Sequence, residues 1–242
     1  MARGRGRGKG RGKATAGGIP VGLAVVIALL VTGCGSLQSA LDNTASSSPP
    51  DASSPAAASA AGATGPVAGP GPQSTYHVQA QPAPGTCHYI VLNAAAGRYL
   101  PDRHCTPGAT NPRVTEADLA STICKSGYTA TIRPPESVTG PEKRGSEAAY
   151  GFTGNGSTTE YDHLISLELG GDPNSPLNLW PEPNKAHAAN VDNPKDKVEN
   201  TLNKLVCNAV HGKRYLPLAK AQYLIATNWT TAVATAENEL VG

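Results

Sequence analysis

The sequence predicts an α+β fold: one small domain in which an extended–loop–extended–helix core is flanked by further helices. Three observations predict it. All eleven aromatic residues lie at or after Tyr76, so the material for a core sits in the C-terminal part of the chain. Between Glu160 and Glu199, two β-like runs are separated by a loop of turn residues and followed by a helical apolar pattern. Helix start signals stand on both sides of that stretch.

The chain has 242 residues of uneven composition. Met1–Lys13 is basic and Gly-rich, and Ile19–Thr32 is an uninterrupted run of apolar and small residues. That order reads as an export signal, and the run is shorter than the roughly 20 residues a spanning helix needs. Val31-Thr32-Gly33-Cys34 closes it and resembles the bacterial lipobox, which implies lipidation at Cys34 and a signal peptide over 1–34. From Thr44 to Ser74, 28 of 31 residues are Ala, Ser, Pro, Gly or Thr. Such a stretch buries too little apolar surface to offset its ordering entropy. Residues 35–85 are therefore expected to be a disordered tether spanning about 40 Å. The globular domain is expected over 86–242, facing outside the cytoplasm from a lipid-anchored position on the cell membrane.

Within the domain, Tyr89–Leu92 reads as a strand. Thr115–Asp118 resembles a capping box opening a helix to Cys124 with a stop near Gly127. Thr129–Arg133 alternates like a strand ended by Pro134-Pro135, and Thr139–Glu142 opens a short helix to Tyr150. Thr158–Leu167 is β-like, Gly170–Pro176 is a turn-rich loop, and Leu177–Trp180 is extended and closed by Pro181 and Pro183. Asn193 and Pro194 then stand at the cap and first position of the clearest helix. Its apolar stripe is Val198, Leu202, Leu205, Val206 and Ala209, and Gly212 is its stop. A last helix from about Pro217 towards Ala234 carries Leu218, Ala221, Leu224, Ile225 and Trp229 on one face. Trp180 and Trp229 are read as core. Cys87, Cys105, Cys124 and Cys207 in an exported domain suggest two disulfides, with three pairings open. The absence of any Cys-x-x-Cys argues against a thiolate zinc site.

The residues able to carry chemistry fall between Glu160 and Glu199. Asp162 and His163 are neighbours on an extended segment and diverge locally, unless a bulge or twist lets both border one site. A histidine accepts a proton near neutral pH, and carboxylate, amide oxygen and imidazole all suit a hard or borderline divalent cation. A base with a cation is a minimal kit for phosphodiester hydrolysis.

Asp162-His163-Leu164-Ile165, Gly170-Gly171, Asn178-Leu179 and His187 together resemble the HNH family of nucleases, with a ββα-metal fold. The resemblance implies a hairpin and helix gripping one divalent ion, Mg²⁺ first, with Mn²⁺ or Zn²⁺ as alternatives. It implies His163 as general base, Asn178 holding the loop and orienting that base, Asp162 as one metal ligand and His187 as the other. A narrower resemblance, to exported HNH-like proteins of high-GC bacteria, covers nearly the whole domain. It rests on Cys105–Gly108, Thr122–Cys124, Ile132–Pro135, Tyr150-Gly151, Asn178–Pro183 and Lys195-Asp196. There the last ligand precedes the Lys-Asp pair, which favours Asn193 over His187, so both stand as candidates. Ser166 occupies a position where the broad family has proline, and the family's Cys-x-x-Cys knuckles are absent.

Charge bounds the partners. Six basic residues sit in the first thirteen positions, and 86–242 holds 14 basic and 16 acidic side chains, a net −2. A strongly basic nucleic-acid-binding domain is thereby excluded. Phosphate contacts must come from local residues, for which Arg133, Lys143, Arg144, Lys185, Lys195 and Lys197 are candidates. The function implied is an exported, membrane-tethered, metal-dependent endonuclease acting on nucleic acid, DNA before RNA, without an obligate protein partner. The alternative is a non-catalytic surface-binding module on the same scaffold. A hydrolase of a wall polymer lacks the His-Glu-x-x-His and Gly-x-Ser-x-Gly signatures.

Overall fold

A computed structural model describes residues 65–183 and 193–241. The fold is mixed α+β. The described residues form three two-stranded sheets: β1 (Val67–Ala68) with β4 (Ala109–Thr110), β2 (Ile90–Asn93) with β3 (Arg98–Leu100), and β5 (Thr159–His163) with β6 (Leu179–Pro183). The helices are α1 (Tyr128–Ile132), α2 (Glu136–Ala149), α3 (Pro194–Cys207) and α4 (Leu218–Val241). The antiparallel pair β5–β6 is followed in the chain by α3, and α3 packs on α4.

The core lies where these elements meet. Trp180, Leu164, Ile165 and Leu169 from the β5–β6 region pack with Leu202 and Val206 of α3 and with Ala221, Ile225 and Trp229 of α4. The helical stripes read from the sequence are therefore the buried faces. Asn193 caps α3 in a full capping box with Asp196, and Pro194 stands in the first turn. In α4, Asn228 leaves the helical region (φ −162°, ψ 95°), and its Oδ1 accepts from the Thr230 backbone and hydroxyl. It acts as an internal cap, which explains a kink in a helix that contains no proline. Among the described residues no helix is long and apolar enough to cross a membrane.

Several local expectations are corrected. Thr129–Arg133 is not a strand: Tyr128–Ile132 is one turn of helix entered from Gly127, and Thr131 Oγ1 donates to the Tyr128 carbonyl. Residues 116–121 form a 3₁₀ turn, because the Thr115 hydroxyl donates to the Asp118 carboxylate instead of capping a backbone N–H. Helix α2 starts at Glu136, so Thr139 and Pro141 lie inside it. Pro181 and Pro183 lie within β6. The Pro181 carbonyl faces away from β5, where it accepts from the Tyr89 hydroxyl. Its ring nitrogen faces the same way, so no ladder hydrogen bond is lost.

The largest correction concerns the tether, whose described part, residues 65–85, is a strap packed on the domain. Val67 and Gly69 donate to Gly108 and Thr110 in a parallel pairing, and Gly71 donates to Asp172. Asn174 donates to His77, Gln79 donates to Glu142, and Gly85 donates to Ala148. These contacts are mostly made by backbone groups, and an argument from side-chain composition does not see them.

The two expected disulfides are Cys87–Cys105 and Cys124–Cys207. Their sequence separations are 18 and 83 residues. Chain entropy assigns about 3 kcal/mol to the first and about 4.5 kcal/mol to the second. Urea unfolding should therefore show the Cys124→Ser/Cys207→Ser pair losing more stability than Cys87→Ser/Cys105→Ser. The reverse order would mean that native packing, and not loop closure, sets these contributions.

Candidate functional site

The site is assembled by β5, β6, the loop between them and the start of α3. In the pair register Glu160 faces Glu182, Asp162 faces Trp180 and His163 faces Leu179. Alternation puts Glu160 and Asp162 on one face, towards α3, and Tyr161 and His163 on the other. The divergence of Asp162 and His163 expected from the sequence follows from this register.

The loop is built around Asn178 and two glycines. Asn178 is fully buried. Its Oδ1 accepts from the Ile165 and Ala109 backbone at 3.0 and 3.3 Å, and its Nδ2 donates to the carbonyls of Ile165 and Asp172, both at 3.0 Å. A Cβ at Gly171 would stand 1.7 Å from the Ile165 carbonyl oxygen, so only glycine fits there. Gly170 takes a left-handed φ of 70°. Ser166 has φ −61°, the value proline imposes, so the backbone keeps that shape without the ring.

This loop presents the Pro173 carbonyl to His163 Nε2 at 3.0 Å. A carbonyl only accepts, so Nε2 carries the hydrogen and Nδ1 carries the lone pair. His163 is 8% exposed. Burial lowers its pKa to about 4; the Pro173 bond and Asp162 oppose this, while Arg133 and Lys195 reinforce it. The imidazole is thus neutral well below pH 6, which corrects the ordinary histidine titration assumed from sequence. The strap packs against this part of the domain. Residues 77–81 reach Asn174, Glu142 and Tyr161, the last on the same face of β5 as His163.

The sign of the linkage is determinate. Unfolded His163 takes a proton near pH 6.5, whereas folded His163 does so only near pH 4. Stability from this group is complete above pH 6.5 and falls as pH drops to about 4, by about 3 kcal/mol in all. Urea unfolding at pH 7 and pH 4.5 should show a steeper loss for wild type than for His163→Gln. Identical losses would show that His163 does not titrate this way.

On the opposite face Asp162 is already engaged. Its Oδ2 accepts from Trp180 Nε1 at 3.1 Å and from Lys195 Nζ at 2.8 Å. Lys195 is fully buried; it also donates to the His163 carbonyl at 2.7 Å and contacts the Glu199 carboxylate. Burial acts to lower its proton affinity, but Asp162, Glu199 and Glu182 outweigh this and raise it. Burial raises Glu199 to about 8 and, aided by Asp162, raises Glu182 well above the usual range. Asn193 is committed at both ends. Its Oδ1 accepts from Lys195 N and Asp196 N, and its Nδ2 donates to Glu182 at 2.9 Å and Glu160 at 3.2 Å.

These residues do not fit a divalent ion as arranged. Asp162 is neutralised by an ammonium, and the amide oxygen of Asn193 is used up by the helix start. Among the described residues no group of three His, Cys, Asp or Glu side chains could hold a metal. His187, the other candidate ligand, lies outside the described residues, as do Lys185 and Cys34.

The candidate phosphate contacts divide. Lys195 is buried, and Lys143 donates to the Gly156 and Thr159 carbonyls at 2.6 and 2.7 Å, a structural commitment. Arg133, Arg144 and Lys197 are exposed. Arg133 lines a cleft of about 260 Å³ with Ser166, Glu168, Asp196 and Glu199. His163 does not line it. Trp180 and Trp229 are core, and Trp180 also serves Asp162.

Sequence reasoning took Lys195 for a phosphate contact and missed its burial, along with the roles of Glu182, Glu199 and the Pro173 carbonyl. The Lys195–Glu199 spacing of four on a helix was a usable signal for an internal ion pair. No protein-family model, curated protein or solved structure matches this chain.

Proposed function

We propose that this chain is an exported, membrane-tethered endonuclease that hydrolyses phosphodiester bonds, with His163 as general base. The observation that carries the reading is the anchoring of His163: Nε2–H is held on the Pro173 carbonyl, which puts the ring's lone pair on Nδ1. A buried carbonyl anchor of this kind fixes the tautomer a base requires. In the proposed step, water gives a proton to Nδ1 while its oxygen attacks phosphorus, and the ester oxygen leaves. Asn178 contributes by holding Ile165 and Asp172, and with them the loop that carries Pro173. Arg133 supplies positive charge near the base, at a place where the domain as a whole is slightly acidic. The Mg²⁺, Mn²⁺ or Zn²⁺ implied by the family resemblance enters as an arm of the assay.

A second reading, a non-catalytic surface module, is favoured by the burial of His163 and by the neutralisation of Asp162. The experiment that separates the two is incubation of the detergent-solubilised full chain with supercoiled plasmid and with single-stranded RNA. Both substrates are tested in EDTA and with each metal. Conversion to nicked circles or shortened RNA supports the nuclease. Intact substrates under every condition leave the surface module.

A further inference from the structure

The geometry points to Lys195 as a built-in replacement for a metal ion: its ammonium permanently holds the cationic position beside Asp162, so that this position takes no divalent cation. The inference deepens the proposed hydrolase but is read out without activity.

Three oxygen groups from different segments converge on Nζ: the Asp162 carboxylate, the His163 backbone carbonyl and the Glu199 carboxylate. Such an all-oxygen set also suits a hard divalent ion. Glu182, buried and close enough to bias Lys195 electrostatically, adds a further carboxylate. A lysine side chain at zero exposure is unusual, and it persists only where its charge is met on all sides. The neighbouring groups are arranged to keep it there. The Asn193 oxygen, which would complete a metal's ligands, is turned to the α3 N-terminus, and its amide nitrogen faces Glu160 and Glu182. The ammonium cannot leave the site as a metal can, because it is covalently part of α3. Through the His163 carbonyl it also fixes the end of the strand that carries the proposed base, which makes it a positioning residue.

Removing the ammonium while keeping the oxygens should turn this position into a cation site. Mn²⁺ bound to the detergent-solubilised full chain is counted by electron paramagnetic resonance, and melting is followed with EDTA or Mn²⁺. Wild type and Asp162→Asn should bind the same amount of Mn²⁺. Lys195→Ala should bind one further equivalent, absent from Lys195→Ala/Asp162→Asn. At millimolar Mn²⁺ it should melt about 4 °C or more above its own EDTA value. Wild type binding an equivalent of Mn²⁺ that Asp162→Asn removes overturns the inference, as does a folded Lys195→Ala that gains none. If Lys195→Ala does not fold even with Mn²⁺, the comparison of wild type with Asp162→Asn decides alone. If the chain cleaves no nucleic acid but these binding results hold, the nuclease reading fails and the role of Lys195 stands.

Discussion

Replacing Asn178 with alanine is expected to cost about 4 kcal/mol of folding stability, more than any other single polar-to-alanine change in the loop. The side chain satisfies four buried backbone groups: Ala109 N, Ile165 N, Ile165 O and Asp172 O. Alanine leaves all four without partners at a position with no solvent exposure. Each lost partner exposes a desolvation cost of about 1 kcal/mol or more. Asn178→Asp separates hydrogen bonding from size. It keeps an acceptor for the two N–H groups but turns a second oxygen towards two carbonyls, so it should be nearly as damaging. Urea unfolding with an unchanged denaturant slope is the check, and a loss below about 1 kcal/mol would contradict the assignment of Asn178 as the loop's staple.

Helical periodicity and caps were the most legible part of the sequence. Asn193, Pro194 and the stripe through Leu202 and Val206 define α3, and Leu218 to Trp229 defines the buried face of α4. Both encode burial in spacing, a local property. The β5–loop–β6 order was legible for the same reason, since Gly170-Gly171 and Asn178 are residues whose backbone roles depend on few neighbours. Thr129–Arg133 was misread because two alternations mimic a strand, whereas among the described residues no strand pairs with this segment. The strap was misread because what orders Gly69, Gly71 and Gln79 is their backbone N–H groups donating to a distant carbonyl and two distant carboxylates, to which composition is blind. At the site, the sequence offered the residue types but not their partners. Lys195 reads as a surface cation at a helix start. Only the fold brings Asp162, 33 positions earlier, to its ammonium.

The central claim is that His163 is the base of a phosphodiesterase. His163→Ala should lose about 10²–10⁴-fold in cleavage rate, the span expected for removal of a general base. Because the imidazole is buried and bonded to Pro173, the substitution also leaves a small cavity and should cost about 2 kcal/mol. The assay therefore runs at low temperature, where the variant stays folded by near-ultraviolet circular dichroism. His163→Gln serves as a second variant that fills most of the space and can still donate to Pro173. The deciding measurement is the initial rate of plasmid nicking by wild type, His163→Ala and His163→Gln full chains, purified side by side. The account predicts nicking by wild type and a loss of at least about 100-fold in both folded variants. Wild-type rates in either folded variant, or no nicking by wild type, would contradict it.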